Sequence, residues 1–143
     1  EMCLRARFLA LAESFRHEKQ TNGNEKAGVL AATLDKATER LLNEGKSPSR
    51  KAGEIDNRGS HFFLATYWAE ELANQSDDAD LAAAFKDVAS QLSSQADKIA
   101  QALVDAQGNP ADLGGYYWPN DDKTSAVMRP VAQFNEIIDG LKK

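Results

Sequence analysis

Ser47-Pro48-Ser49-Arg50-Lys51-Ala52-Gly53-Glu54-Ile55-Asp56-Asn57-Arg58-Gly59-Ser60-His61-Phe62-Phe63 is a polar connector between helical patterns, and its reading decides how the rest of the chain is laid out. Pro48 closes any helix arriving from the N-terminal side, because it lacks an N–H and its ring clashes with the preceding turn. Asp56 or Asn57 can cap a helix leaving the connector, since a short side-chain oxygen reaches the free N–H groups of a first turn. The stretch holds Arg50, Lys51 and Arg58, the carboxylates Glu54 and Asp56, His61, and the glycines Gly53 and Gly59. A segment of this composition cannot bury itself, because its backbone and charged groups need water, partners or a ligand. Arg50 is the residue of interest. Held on a loop stiffened by Pro48, its guanidinium offers a planar fork to a phosphate or carboxylate with little entropy left to lose. The plainer alternative is that Arg50, Lys51 and Arg58 simply pair with Glu54, Asp56 and helix ends. The residues by themselves leave both readings open.

Upstream, Leu4, Phe8, Leu11 and Phe15 recur at helical spacing and predict a first helix, with Arg16, His17, Glu18 and Lys19 at its wet end. Thr21-Asn22-Gly23-Asn24 is a turn cluster in which Asn24 suits an N-cap. Leu30, Leu34, Ala37 and Leu41 mark a second helix, closed by Asn43 and by Gly45 as a left-handed stop. The short link predicts antiparallel packing of the two.

Downstream, Phe62, Phe63, Thr66, Tyr67, Ala69, Leu72 and Ala73 describe a third helix, and Trp68 widens its apolar surface beyond one stripe. Gln75-Ser76-Asp77-Asp78 breaks the chain. Leu81, Phe85, Val88, Leu92, Ala96, Ile99 and Leu103 then alternate by four and three, predicting one long helix from Asp78 to Gln107 that Gly108-Asn109-Pro110 stops. Gly114-Gly115 followed by Tyr116-Tyr117-Trp118 predicts an extended piece in which backbone approaches backbone, a packing device rather than a site. Asn120 caps a short helix through Met128, and Pro130 opens a last helix that turns Val131, Phe134, Ile138 and Leu141 to the core. The expected fold is mostly α: five to six helices with one short extended Gly-Gly-aromatic segment, with residues 1–143 forming a single helical unit.

The 143 residues carry a net charge of -5, with 42% hydrophobic and 27% charged side chains. An acidic chain argues against general nucleic-acid binding, which needs a basic surface. No apolar run approaches the roughly 20 residues of a membrane span, and the opening residues lack the apolar core of a signal peptide. Cys3 is the only cysteine, so no internal disulfide can form and a reducing, cytoplasmic setting is expected. Neither His17 nor His61 has companions at metal-ligand spacing. Glu70-Glu71, Asp77-Asp78 and Asp121-Asp122 read as solvated faces and caps. There is no GxGxxG and no Walker sequence.

Several strings, taken in order, resemble the C-terminal part of the monomeric NADP-dependent isocitrate dehydrogenases. They are Phe8-Leu9-Ala10-Leu11-Ala12-Glu13-Ser14-Phe15, Ser47-Pro48-Ser49-Arg50-Lys51, Asp56-Asn57-Arg58-Gly59-Ser60-His61-Phe62, Asp112-Leu113-Gly114-Gly115-Tyr116-Tyr117 and Met128-Arg129-Pro130. Glu13-Ser14-Phe15-Arg16-His17-Glu18 and Pro130-Val131-Ala132-Gln133-Phe134-Asn135-Glu136 are most similar to actinobacterial members. The resemblance implies a large two-domain enzyme, of whose smaller domain this chain is a part. Isocitrate, NADP and Mg2+ or Mn2+ would bind in the cleft between the domains.

It also implies that the metal-binding acids, the isocitrate-binding serine and the catalytic lysine and tyrosine lie in segments absent here. This chain then has no catalytic or metal residue of its own and is inactive alone. Its one implied site residue is Arg50, which occupies the position that binds the 2′-phosphate of NADP. Residues 1–7 depart from the family pattern, and the role of a second cofactor arginine is not transferred to Arg5 or Arg7. The implied partners are NADP and the remainder of the enzyme. Self-association is expected if absent contacts expose Tyr67, Trp68 or Trp118. The rival reading is an independent helical interaction module without catalysis.

Overall fold

The computed structural model describes the backbone of residues 2–142 and the side chains of residues 6–141. Leu4, Cys3, Arg5 and the terminal lysines therefore lie outside the described side chains. Seven α-helices follow one another among the described residues: α1 (Met2–Asn22), α2 (Glu25–Asn43), α3 (Asn57–Asn74), α4 (Ala79–Ser94), α5 (Ala96–Asp105), α6 (Asp121–Met128) and α7 (Ala132–Asp139). A 3-10 turn over Gly140–Lys142 ends the series, and no strand occurs among the described residues.

α1 and α2 form an antiparallel hairpin across Gly23-Asn24. Gly23 takes a φ of 67°, which a side chain disfavours, and the Asn24 side-chain Oδ1 caps α2 by accepting the Ala27 N–H at 3.3 Å. Arg16 reaches Asp35 and Lys19 reaches Glu25 across the pair. On α1 the buried stripe is Phe8, Ala12 and Phe15, whereas Leu11 is 40% exposed. Phe8 and Phe15 of the expected stripe thus stay on the packed face, and Ala12 takes the place expected of Leu11. Ala12, at 0% exposure, is small enough to let α1 approach α2 closely, and a leucine there would hold the helices apart.

α2 ends as its sequence suggests. The Lys46 N–H donates to Leu41 O at 3.0 Å and the Gly45 N–H to Leu42 O at 3.1 Å, a Schellman pair that needs the φ of 66° at Gly45.

α3 is the centre of the fold because both its sides are apolar. Leu64 and Tyr67 close one core with Phe8, Leu34 and Leu41 from α1 and α2. Phe62 and Ala69 close a second with Leu92, Ile99, Leu103 and Ile137 from α4, α5 and α7. Phe62 is fully buried and meets Phe134 edge-on at 5.2 Å, a burial worth about 1.5–3 kcal/mol. Tyr67 and Trp68, expected as possible exposed surface, are instead held inside. Tyr67 is 4% exposed and donates its hydroxyl to Glu44 at 2.6 Å, while the half-buried Trp68 donates its indole N–H to Thr33 Oγ1 at 3.0 Å.

The expected single long helix from Asp78 to Gln107 is broken at Gln95, whose φ of -113° and ψ of 9° leave the helical region. Two serines precede the break. Ser94 Oγ donates to Gln91 O at 3.1 Å, a main-chain alternative to the helical ladder one residue before the break, and Ser93 Oγ ties the same turn to the Glu70 carboxylate of α3. The apolar stripe survives the interruption, since Leu92, Ile99 and Leu103 share one core. On α7 the same core takes Ile137, which the expected stripe left out, and Leu141 is exposed.

The Gly-Gly-aromatic segment is a loop that bends back rather than an extended piece. The Asn120 N–H donates to Leu113 O at 2.7 Å, closing the loop. The close approach of backbone is as expected: a Cβ on Gly114 would stand 2.9 Å from Asn120 Cβ, and one on Gly115 3.0 Å from Trp118 O. The three aromatics, however, are 90%, 92% and 91% exposed at Tyr116, Tyr117 and Trp118.

Candidate anion-binding loop

The connector between α2 and α3 is held at several points. At its start, the buried Ser60 hydroxyl donates to Lys46 O at 2.7 Å, fastening the chain leaving α2 to the first turn of α3. At its end, Asp56 Oδ1 accepts the Gly59 N–H at 3.0 Å and caps α3. Between them, the Ser49 N–H donates to Ile55 O at 2.7 Å and closes the neck of a loop. Inside that neck, the Lys51 N–H donates to Ser49 Oγ at 3.1 Å and the Glu54 N–H to Lys51 O at 3.3 Å, with Gly53 at a φ of 88° making the turn. The far side is braced from elsewhere in the chain. The Gly53 N–H donates to Gln107 Oε1 at 2.9 Å, and Gln107 Nε2 donates to Glu54 O at 2.9 Å.

The basic residues divide on this frame. Lys51 lies 3.9 Å from Glu54. Arg58 sends Nε and Nη2 to Asp56 Oδ2, each at 2.8 Å, and Nη1 to Val127 O at 2.9 Å. Burial pushes the Asp56 carboxyl up, but the Gly59 N–H and the Arg58 guanidinium outweigh it and hold the group below the usual carboxylate range. Pairing with local acids and helix ends therefore accounts for Lys51 and Arg58. It does not account for Arg50, which is exposed and whose side chain makes no hydrogen bond or ion pair among the described residues. The loop that carries it is cross-braced, and a free guanidinium has the planar donor geometry that phosphates and carboxylates accept.

Other candidates are occupied. His61 Nδ1–H donates to Asn57 O at 2.6 Å and its ring packs edge-on against Phe8. His17 is exposed, 3.4 Å from Thr21 Oγ1. Glu70 binds Arg40 and Ser93, Asp78 caps α4 through the Leu81 N–H at 2.9 Å, and Asp121 and Asp122 sit in the first turn of α6. A cavity of about 280 Å³ beside α3 and α7 is lined by Arg58, His61, Arg129 and Phe134. Its Arg129 is already engaged, with Nε donating to Asn135 at 3.1 Å and Nη2 to Asp139 at 3.4 Å. Among the described residues no three or more His, Cys, Asp or Glu side chains gather as a metal site would require, and no helix is long and apolar enough to cross a membrane.

The site residue that sequence reading missed is Gln107. It lies fifty-four positions from Gly53, and a side-chain amide clasping a distant main chain leaves no local pattern. The nearest cue is its place at the end of a helix, just before Gly108-Asn109-Pro110.

A family model described as monomeric isocitrate dehydrogenase matches residues 5–139. The chain is 71% identical over 136 residues to an NADP isocitrate dehydrogenase of Corynebacterium efficiens, covering 95% of this chain and 19% of that protein. It is 68% identical over 136 residues to the enzyme of the same description from Corynebacterium glutamicum, and 54% identical over 131 residues to that of Azotobacter vinelandii, covering 18% of each. The chain thus spans about a fifth of the length of the curated relatives that it matches.

Proposed function

The chain belongs to the monomeric isocitrate dehydrogenase family, and from that premise we propose that it is a C-terminal part of an NADP-dependent enzyme to which it contributes one cofactor contact, Arg50. The parent reaction in this reading is the oxidative decarboxylation of isocitrate: hydride passes from the substrate to NADP, carbon dioxide leaves, and 2-oxoglutarate and NADPH are formed. The parent works in the cytoplasm, and this helical unit belongs to its smaller domain.

The observation that carries the assignment of Arg50 is its isolation. Its neighbours Lys51 and Arg58 are matched by Glu54 and Asp56, and Arg50 alone of the three has no partner for its side chain among the described residues. A 2′-phosphate carries charge and acceptor oxygens that suit a guanidinium fork. NAD has only a hydroxyl at that place, so a contact of this kind separates the two dinucleotides. The divalent cation expected of the family does not fit the residues of this chain, where no acid cluster of sufficient size exists among the described residues. In this reading the cation and the catalytic groups belong to other segments of the parent, and NADPH production by the chain alone would overturn it. The exposed Tyr116, Tyr117 and Trp118 are consistent with a surface that the remainder of the enzyme covers.

Arg50→Ala in the full-length enzyme tests the assignment. Loss of a hydrogen-bonded charge contact weakens NADP by roughly 1.5–3 kcal/mol, or roughly 10- to 150-fold, with the lower end favoured because the side chain is exposed. Use of NAD and the KM for isocitrate should change little, and Arg50→Lys should recover part of the loss. Equal weakening of both dinucleotides would make Arg50 a structural residue.

A further inference from the structure

We propose that Gln107 is a positioning residue for the cofactor arginine: its side-chain amide clamps the loop that presents Arg50 and thereby sets the preference for NADP over NAD. The inference rests on the assignment of Arg50 to the 2′-phosphate.

A primary amide carries an acceptor and a donor side by side, and Gln107 uses one of each on consecutive residues of the loop. Its Oε1 accepts the Gly53 N–H and its Nε2 donates to Glu54 O, both at 2.9 Å. The contact imitates a rung of β-ladder made by a side chain, and it reads main-chain atoms only. Gln107 is itself fixed, because its N–H donates to Val104 O at 3.0 Å in the last turn of α5. α5 in turn is held by Ile99 and Leu103 in the second core. A continuous path therefore runs from that core through Gln107 to the loop. Without the clamp, the loop keeps its neck bond from Ser49 to Ile55 and its internal turn. Its far side, where Gly53 already has the widest backbone freedom, is then untethered.

A loose loop makes Arg50 pay an ordering cost on binding that the clamped loop has already met. Only the ligand that engages Arg50 is affected. Gln107→Ala in the full-length enzyme should raise the KM for NADP about three- to tenfold and leave the KM values for NAD and isocitrate within about twofold. Gln107→Met keeps the length of the side chain without either hydrogen bond and should match Gln107→Ala. If the methionine variant behaves as wild type, bulk rather than the clamp is what matters, and the proposal fails.

The decisive comparison is the double variant. If Gln107 acts through Arg50, then adding Gln107→Ala to Arg50→Ala brings no further loss of NADP preference. An additive loss, or an equal loss for NAD in the single variant, would overturn the positioning role while leaving the assignment of Arg50 intact. An Arg50→Ala enzyme with unchanged cofactor preference would remove both.

Discussion

Tyr67→Phe removes one atom from the first core and leaves the ring in place, so it isolates the bond from the phenol to Glu44. In the native chain that bond is 2.6 Å long, and Arg40 both pairs with Glu44 at 2.7 Å and stacks over the Tyr67 ring with Cζ 4.0 Å from its centre. The phenol's hydrogen bond, and then Arg40, hold the Glu44 carboxyl below its ordinary value of 4.5. Burial first, and then the neighbouring carboxylate, push the Tyr67 phenol well above its ordinary 10.0. A hydrogen bond to a charged group contributes about 1.5–3 kcal/mol. Glu44 is 42% exposed, so water replaces much of what is lost, and a cost of about 1 kcal/mol is expected. For a chain of this size that is a fall in Tm of about 2–4 °C.

The pH dependence is the sharper part of this prediction. A depressed carboxylate pKa stabilises the fold above the unfolded value and stops doing so as pH falls through the folded value. A raised phenol pKa stabilises the fold below the unfolded value and stops doing so as pH rises towards the folded one. The difference in Tm between wild type and Tyr67→Phe should therefore be a plateau between about pH 5 and about pH 9 that closes on both sides. Thermal melts followed by far-UV circular dichroism read it directly, and Glu44→Gln should abolish the acid limb while weakening the alkaline one, where burial of the phenol remains. A difference that stays flat across the range would place the loss in packing around the ring and refute the reasoning.

Two further outcomes test the fold itself. Leu92→Ala empties a fully buried position in the second core and should cost about 2–5 kcal/mol in urea titrations; a loss under about 1 kcal/mol would mean the core collapses around the gap. Gly114→Ala forces a side chain onto a φ of 77° with a contact 2.9 Å from Asn120 Cβ, and should open the aromatic loop while leaving helical content unchanged. Hydrogen exchange at the Asn120 amide, which now donates to Leu113 O, should accelerate at least tenfold; unchanged protection would show that the loop absorbs the methyl without opening.

The helix boundaries were legible wherever a short polar side chain meets the first turn of a helix. Asn24, Asp56, Asp78 and Asn120 all accept the N–H three residues on, the geometry their position in sequence suggests. Local chemistry of this kind needs no knowledge of the rest of the chain. What failed depends on neighbours. Leu11 is as apolar as Phe8 in any sequence pattern, and only the close approach of α2 decides that Ala12 takes the buried place. The break at Gln95 lies within an unbroken apolar period: Ser94 bonds a main-chain carbonyl and Ser93 a carboxylate on another helix, and neither contact disturbs the stripe. At the candidate site, Arg50 could be singled out from a family resemblance and from its loop. The pairing that leaves it free could not, because a count of charges does not say which acid meets which base. Gln107 was invisible for the same reason on a longer scale.

The clamp has a consequence for which changes the loop can absorb. Since Gln107 touches only the N–H of Gly53 and the carbonyl of Glu54, it is indifferent to the side chains at Lys51, Ala52 and Glu54. Those positions are open to drift in charge and size, and the surroundings of a bound phosphate can be retuned there without unmaking the brace. The spacing is a different matter. A single inserted or deleted residue between Ser49 and Ile55 moves the N–H and carbonyl out of step with an amide whose donor and acceptor are about 2 Å apart. The loop is thus permissive to substitution and intolerant of a change in length, which is the reverse of the usual expectation for an exposed connector between helices.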